Sequence, residues 1–203
     1  MAGPRLIVIT DWALGRDRVL AIADAALAVS GAVAIQHRHP EASGRAFLEE
    51  ARALRAVVER HPGRRLFVNG RLDVALLVEA DLHLPSSAPA PAEVRPLLPA
   101  GRWISAAVHS REEALAAAGA DLALVSPVFS PGSKPGDRRP VLGVEGFEAI
   151  RSALPCPAYA LGGVTAENAG AFRETAAGAA VIGAVMGAGD PAGAVRALLA
   201  ALC

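Results

Sequence analysis

The chain has 203 residues, 20 Lys or Arg against 20 Asp or Glu, and 53% hydrophobic residues, a globular composition long enough to bury one full core as a single domain over 1–203. Zero formal charge without a basic run excludes the electrostatic footprint of a nucleic-acid partner, and the weakly polar stretches 25–36 and 176–189 are too short and too interrupted by Gly and Ser to span a bilayer. Cys156 and Cys203 form no CxxC pair or zinc-type spacing, and the amino terminus shows no secretory cleavage pattern, so we expect a cytoplasmic protein with no membrane partner, disulfide scaffold or structural metal.

Short β-rich apolar runs alternate with stretches of helical period along the whole chain, the pattern of a parallel sheet covered by helices. The predicted strands are Leu6 to Thr10, Ala32 to Gln36, Leu66 to Asn69, Asp81 to Leu84, Trp103 to Ala107, Leu122 to Val125, Ala158 to Leu161 and Ala179 to Ile182. Between the first two, Val19, Ile22, Ala26 and Val29 recur at helical spacing. After the second, Phe47, Ala51, Leu54 and Val58 do the same. Ser110 with Glu113 makes a capping box, Thr165 is placed to cap the next-to-last helix, and Asp190 followed by Pro191 opens the last one. Eight such units predict an α/β fold, a single (β/α)8 TIM barrel. An open doubly wound sheet is set aside because Thr-Asp-Trp-Ala-Leu-Gly15, and no glycine-rich dinucleotide fingerprint, follows the first strand.

In such a barrel, function sits where strands lead into helices. The polar residues there are Thr10 and Asp11, Gln36 to His39, Asn69, His83, His109, Ser126 to Lys134, Gly162-Gly163 and Gly183-Ala184. Side chains alternate along a strand, so Gln36 and Arg38 share one face and His37 and His39 the other. Only one pair can look into the mouth. Gly162, Gly163, Gly183 and Ala184 leave backbone N–H groups free to approach a phosphate after strands seven and eight. A carboxylate at Gly163 is expected to repel that anion while leaving the fold intact. The loop from Ser126 to Gly136 carries Ser133 and the sole lysine, Lys134, which can close over an anionic ligand.

Several motifs in this order and spacing resemble the thiamine-phosphate synthases and their TenI-like relatives. They are Leu6-Ile-Val-Ile-Thr-Asp11, Ile35-Gln-His-Arg38, Leu66-Phe-Val-Asn69, Leu82-His-Leu84, Val108-His-Ser-Arg-Glu-Glu-Ala114, Ser126-Pro-Val-Phe129 with Ser133-Lys134, Ala160-Leu-Gly-Gly163 and Ala180-Val-Ile-Gly-Ala184. The resemblance implies a (β/α)8 barrel that binds a thiazole phosphate in thiamine biosynthesis. Synthase members join that compound to a hydroxymethylpyrimidine pyrophosphate, using magnesium and releasing pyrophosphate. TenI-like tautomerases isomerise a carboxylated thiazole phosphate by proton transfer. Carried over by position, Gln36 matches the pyrimidine-binding glutamine, Arg38 the pyrophosphate arginine, Lys134 the loop lysine, and Gly162, Gly163 and Ala184 the backbone phosphate site.

The departures from the synthase pattern fall at the metal. Gly70 follows Asn69 where a synthase has an aspartate, and His83-Leu-Pro-Ser-Ser-Ala88 holds no carboxylate where a second is expected. Pro40 replaces a lysine and Ala107 a serine. Magnesium takes hard oxygen ligands, commonly one or two carboxylates, so the expectation is a TenI-like, metal-independent enzyme of thiazole tautomerase type. It would take a small phosphorylated heterocyclic ligand and use no cofactor, with monomer and homodimer both left open. Its acid and base would be His109 and His83, because Pro127 stands where better-known TenI-like enzymes carry a histidine. Gln36, Arg38, Asn69, Ser133 and Lys134 would bind substrate, and Gly162, Gly163, Gly183 and Ala184 the phosphate. The alternatives are a thiamine-phosphate synthase, which would bring magnesium back, and a barrel that binds a phosphorylated ligand without catalysis.

Overall fold

The computed structural model describes residues 3–130 and 140–203. Eight parallel strands close into one barrel in the order of the chain. They are β1 (Leu6–Ile9), β2 (Val33–His37), β3 (Leu66–Asn69), β4 (Asp81–Leu84), β5 (Ile104–Val108), β6 (Leu122–Val125), β7 (Ala158–Leu161) and β8 (Gly178–Val181). The helices outside are α1 (Arg16–Val29), α2 (Gly44–Glu59), α3 (Leu72–Leu77), α4 (Pro91–Val94), α5 (Arg111–Ala116), α6 (Gly143–Arg151), α7 (Gly183–Met186) and α8 (Pro191–Leu202). The predicted TIM barrel is therefore observed. Among the described residues no helix is long and apolar enough to cross a membrane.

Two apolar layers hold the barrel. Strand residues facing outward meet the buried stripes of the helices, such as Val19, Ile22 and Ala26 of α1 and Phe47, Ala51 and Leu54 of α2. Alternate strand residues fill the bore, among them Ile7, Ile9, Phe67, Leu122, Leu124 and Tyr159. The bore is thus packed below, and only the ends of the strands are left to shape a cavity.

At the base the side chains are tied down. The Tyr159 hydroxyl donates to the Pro4 carbonyl at 2.5 Å. Asp81, 3% exposed, accepts from Arg65 at 2.8 Å and from the Trp103 backbone N–H at 2.9 Å. Arg65 also lies over the Trp103 ring at 3.9 Å. The seam pairs β1 with β8, Ile7 opposite Ala180, and Arg5 reinforces it by donating to the carbonyls of Ala177 and Leu202.

One predicted helix is not formed. After β7 the chain makes only a 3-10 turn, Ala169–Phe172, and Thr165 gives it no side-chain cap. Instead Asn168 gathers the segment, accepting from Thr165 N–H at 2.8 Å and donating to the Gly163 carbonyl at 2.9 Å.

Candidate active site

A cavity of about 700 Å³ opens at the carboxyl ends of the strands, within the range of small-molecule sites. Its wall includes Gln36, Arg38, Asn69, His83, His109 and Ser126, with Gly162, Gly163, Gly183 and Ala184 across the mouth. The described residues predicted to act thus converge on one place. Ser133 and Lys134 lie outside the described residues.

The alternation on β2 resolves in favour of Gln36 and Arg38. Thr10, at the end of β1, fixes the arginine's backbone: its hydroxyl accepts from Arg38 N–H at 3.0 Å and donates to the Arg38 carbonyl at 3.3 Å. Gln36 is 1% exposed, and its Nε2 has no hydrogen-bond partner among the described residues. A buried, unmade amide hydrogen bond costs about 1–3 kcal/mol, so this donor is held ready for an acceptor in the cavity.

His37 and His39 face away, toward α2. Trp12 Nε1 donates to His37 Nδ1 at 3.1 Å, and His37 Nε2 lies 3.1 Å from the Phe47 carbonyl. An acceptor-only carbonyl requires the proton on Nε2, so this imidazole is neutral; burial pushes its pKa down to about 4. His39 pairs with Glu50 at 2.9 Å and stacks on Trp12.

On the opposite wall, His83 is 5% exposed and its Nδ1 lies 2.9 Å from Ser105 Oγ. Burial first, then the charges of Arg38 and His109, lower its pKa to about 3, so His83 is a neutral hydrogen-bonding group. His109 Nδ1 is 2.6 Å from the Ser126 carbonyl, which places a proton on that nitrogen. Its backbone N–H donates to Glu113, whose own N–H donates to Ser110 Oγ at 3.2 Å. Ser110 therefore caps α5, but the predicted capping box is not closed, because the Glu113 carboxylate accepts from the His109 N–H, one residue before the cap.

Gly162 and Gly163 have φ of 99° and 61°. A Cβ at Gly163 would stand 2.6 Å from the Ser130 carbonyl oxygen and 2.8 Å from Phe129 Cβ. The expectation that a carboxylate at Gly163 would spare the fold is therefore corrected, because the β6 loop occupies that space. At Gly183 a Cβ would meet nothing within 4 Å. The N–H groups of Gly163, Gly183 and Ala184 donate to no carbonyl among the described residues, leaving a cluster of backbone donors for an anion.

The donor set does not fit magnesium. Among the described residues the wall holds no carboxylate, and no group of three or more His, Cys, Asp or Glu could hold a metal ion. Asp11 caps the turn Trp12–Leu14 by accepting from Ala13 N–H. Ala88, where the second family carboxylate is expected, packs against the apolar layer between strands and helices.

Sequence reasoning missed Ser105 and Asn168. The signal for Ser105 was present: a serine inside an apolar strand, two residues before Ala107, on the face that looks into the bore. Asn168 had no pattern to reveal it, since its work is to hold a turn of irregular shape.

The family model for thiamine monophosphate synthase matches residues 6–185. A thiamine-phosphate synthase from Methanoculleus marisnigri is 40% identical over 200 residues, covering 97% of this chain and 94% of the relative. One from Chloroflexus aurantiacus is 39% identical, covering 97% and 91%. The solved thiamine phosphate pyrophosphorylase from Pyrococcus furiosus superposes with a TM-score of 0.84 at 33% identity, covering 98% of this chain and 95% of that one. The two sequence relatives carry the synthase name and the solved structure that of a thiamine phosphate pyrophosphorylase, and they overturn the expectation of a TenI-like tautomerase in favour of the synthase alternative. The tautomerase expectation gave two missing carboxylates more weight than near-complete relatedness along the chain.

Proposed function

The chain belongs to the thiamine monophosphate synthase family, and from that premise we propose that it joins a hydroxymethylpyrimidine pyrophosphate to a thiazole phosphate, releasing pyrophosphate. The observation that carries this reading is Gln36, which lines the cavity and whose buried Nε2 has no partner among the described residues. A pyrimidine ring nitrogen is an acceptor of the right kind, and binding it removes the penalty the free protein bears.

The other roles follow from charge and position. Arg38, its backbone pinned by Thr10, meets the pyrophosphate through a planar fork of donors. The amides of Gly163, Gly183 and Ala184 receive the phosphate of the thiazole, with Gly162 shaping the turn that presents them. His83 and Asn69 offer neutral hydrogen bonds between the two ends, and His109 hydrogen-bonds on the same wall. Ser133 and Lys134 are assigned to the same anions. Holding both substrates together makes the exchange of the pyrimidine's bond to pyrophosphate for a bond to the thiazole effectively intramolecular.

The test is direct. Purified protein given both substrates should form thiamine phosphate and pyrophosphate in equal amounts, and Gln36→Ala should raise the KM for the pyrimidine substrate. Failure to form product under any ionic condition would refute the proposal.

A further inference from the structure

Among the described residues, the cavity that receives a pyrophosphate in this reading is built almost wholly of neutral groups and one cation. Among the described wall residues, Arg38 is the one permanently charged side chain. The oxygens available there come from Asn69, Ser86, Ser126, Thr165 and backbone carbonyls, which are neutral donors. Magnesium dehydrates reluctantly and is ordinarily held through one or two carboxylates together with phosphate oxygens.

Several acids that follow the barrel strands are already committed, and Glu41, next to the cavity-lining Pro40, is exposed and is not part of the wall. Asp73, three residues beyond Gly70, is bound in two places by Arg71 at 2.9 and 2.6 Å. Glu50 pairs with His39 on the far side of β2, and Glu113 accepts from His109 N–H at 2.6 Å. At position 70 there is room for a side chain, since a Cβ would touch only Pro85, at 3.7 Å. The position beside Asn69 is open in space and vacant in chemistry.

We propose that this chain takes the pyrophosphate group of its substrate as the bare anion, held among the described residues by Arg38, neutral side chains and backbone amides, with no divalent cation between protein and phosphate. The inference rests on the synthase reading and concerns how that site meets charge. A guanidinium makes two parallel, charge-assisted hydrogen bonds to phosphate oxygens. Fixed N–H dipoles add to it without the need to recruit an ion. A dication entering beside Arg38 would meet a like charge, with no carboxylate among the described wall residues to offset it.

This arrangement reverses the usual sign of a magnesium effect. Magnesium in solution complexes pyrophosphate, so for a site that accepts only the free anion it acts as a competitor. The experiment is calorimetric titration of the full chain with inorganic pyrophosphate, first with a chelator and then with excess magnesium. The expected result is binding with chelator, and affinity weakened roughly tenfold or more by magnesium through mass action. Tighter binding with magnesium, or affinity the same in both conditions, would overturn the inference and leave the synthase reading standing. Absence of pyrophosphate binding in both conditions would overturn the inference and the synthase reading together. Arg38→Gln should abolish the binding seen with chelator, and retained affinity in that variant would also overturn the assignment.

Discussion

Ser105 Oγ lies 2.9 Å from His83 Nδ1 on the neighbouring strand, so the imidazole in the cavity wall is held by a hydroxyl and by burial. Burial lowers His83 to about 3 and His37 to about 4, below the ~6.5 of an unfolded histidine. Between roughly pH 6.5 and 4 the unfolded chain therefore binds protons that the native state refuses. Stability should fall as pH falls through that window, by up to about 1.4 kcal/mol per pH unit for each histidine. Urea midpoints across this range should fall less steeply in His83→Asn, and an unchanged slope would show that His83 is not protected from protonation.

Gln36 offers a stability measurement that reports on function. Replacing it with leucine removes a buried donor that has no partner among the described residues. Gln36→Leu should be as stable as the parent or more so, by about 1 kcal/mol, while pyrimidine binding falls by at least tenfold. A variant that is markedly destabilised would show that the amide already has a partner within the protein.

Gly163 and Gly183 should separate folding from ligand binding. Gly163→Ala forces a Cβ against the Ser130 carbonyl at a φ of 61° and should destabilise by roughly 1–3 kcal/mol or more. Gly183→Ala places a methyl group in open space, so its melting temperature should stay close to the parent's. Its affinity for inorganic phosphate should drop several-fold, because the methyl group crowds the backbone donors. Equal affinity in parent and Gly183→Ala, measured by calorimetry, would move the anion away from this turn.

A carboxylate graft tests what decides the ion preference. Position 70 has a φ of 70°, a region aspartate tolerates better than most residues, and Ser86 lines the cavity. Gly70→Asp combined with Ser86→Asp should make pyrophosphate binding rise with magnesium where the parent's falls. Titrations of the two proteins side by side read the sign; the same sign in both would mean that these positions do not set it.

Asp81 should be purely structural. It is buried at the base of β4 with Arg65 and the Trp103 amide, and burial raises its carboxyl above the usual range even against Arg65. Removing one partner of a buried pair costs about 3–5 kcal/mol. Asp81→Ala should therefore lower the urea midpoint sharply and leave phosphate affinity per folded molecule unchanged.

The barrel was legible because each strand is an apolar run punctuated by turn residues. Leu66–Asn69, Asp81–Leu84, Leu122–Val125 and Ala158–Leu161 have the bounds predicted for them. The others shift by a residue or lose one at an end, where pairing with neighbours decides the limit. Alternation narrowed β2 to two pairs, but only closure of the ring turned Gln36 and Arg38 inward. The hydroxyl behind His83 and the turn held by Asn168 join residues distant in sequence or irregular in backbone, and no period marks such contacts. The missing carboxylates were read correctly as residues and wrongly as a change of reaction, since ligand chemistry and reaction class can vary separately on one scaffold.

The seam between β1 and β8, clasped by Arg5 onto Ala177 and Leu202, also governs how the molecule comes into being. A chain emerging from the ribosome makes β1 first and waits for nearly its whole length before the last partner exists. Throughout that interval β1 presents an unpaired edge to the cell. The Arg5 clasp can engage only when α8 has been made, so β1, the first of the eight strands to be made, is among the last to be locked.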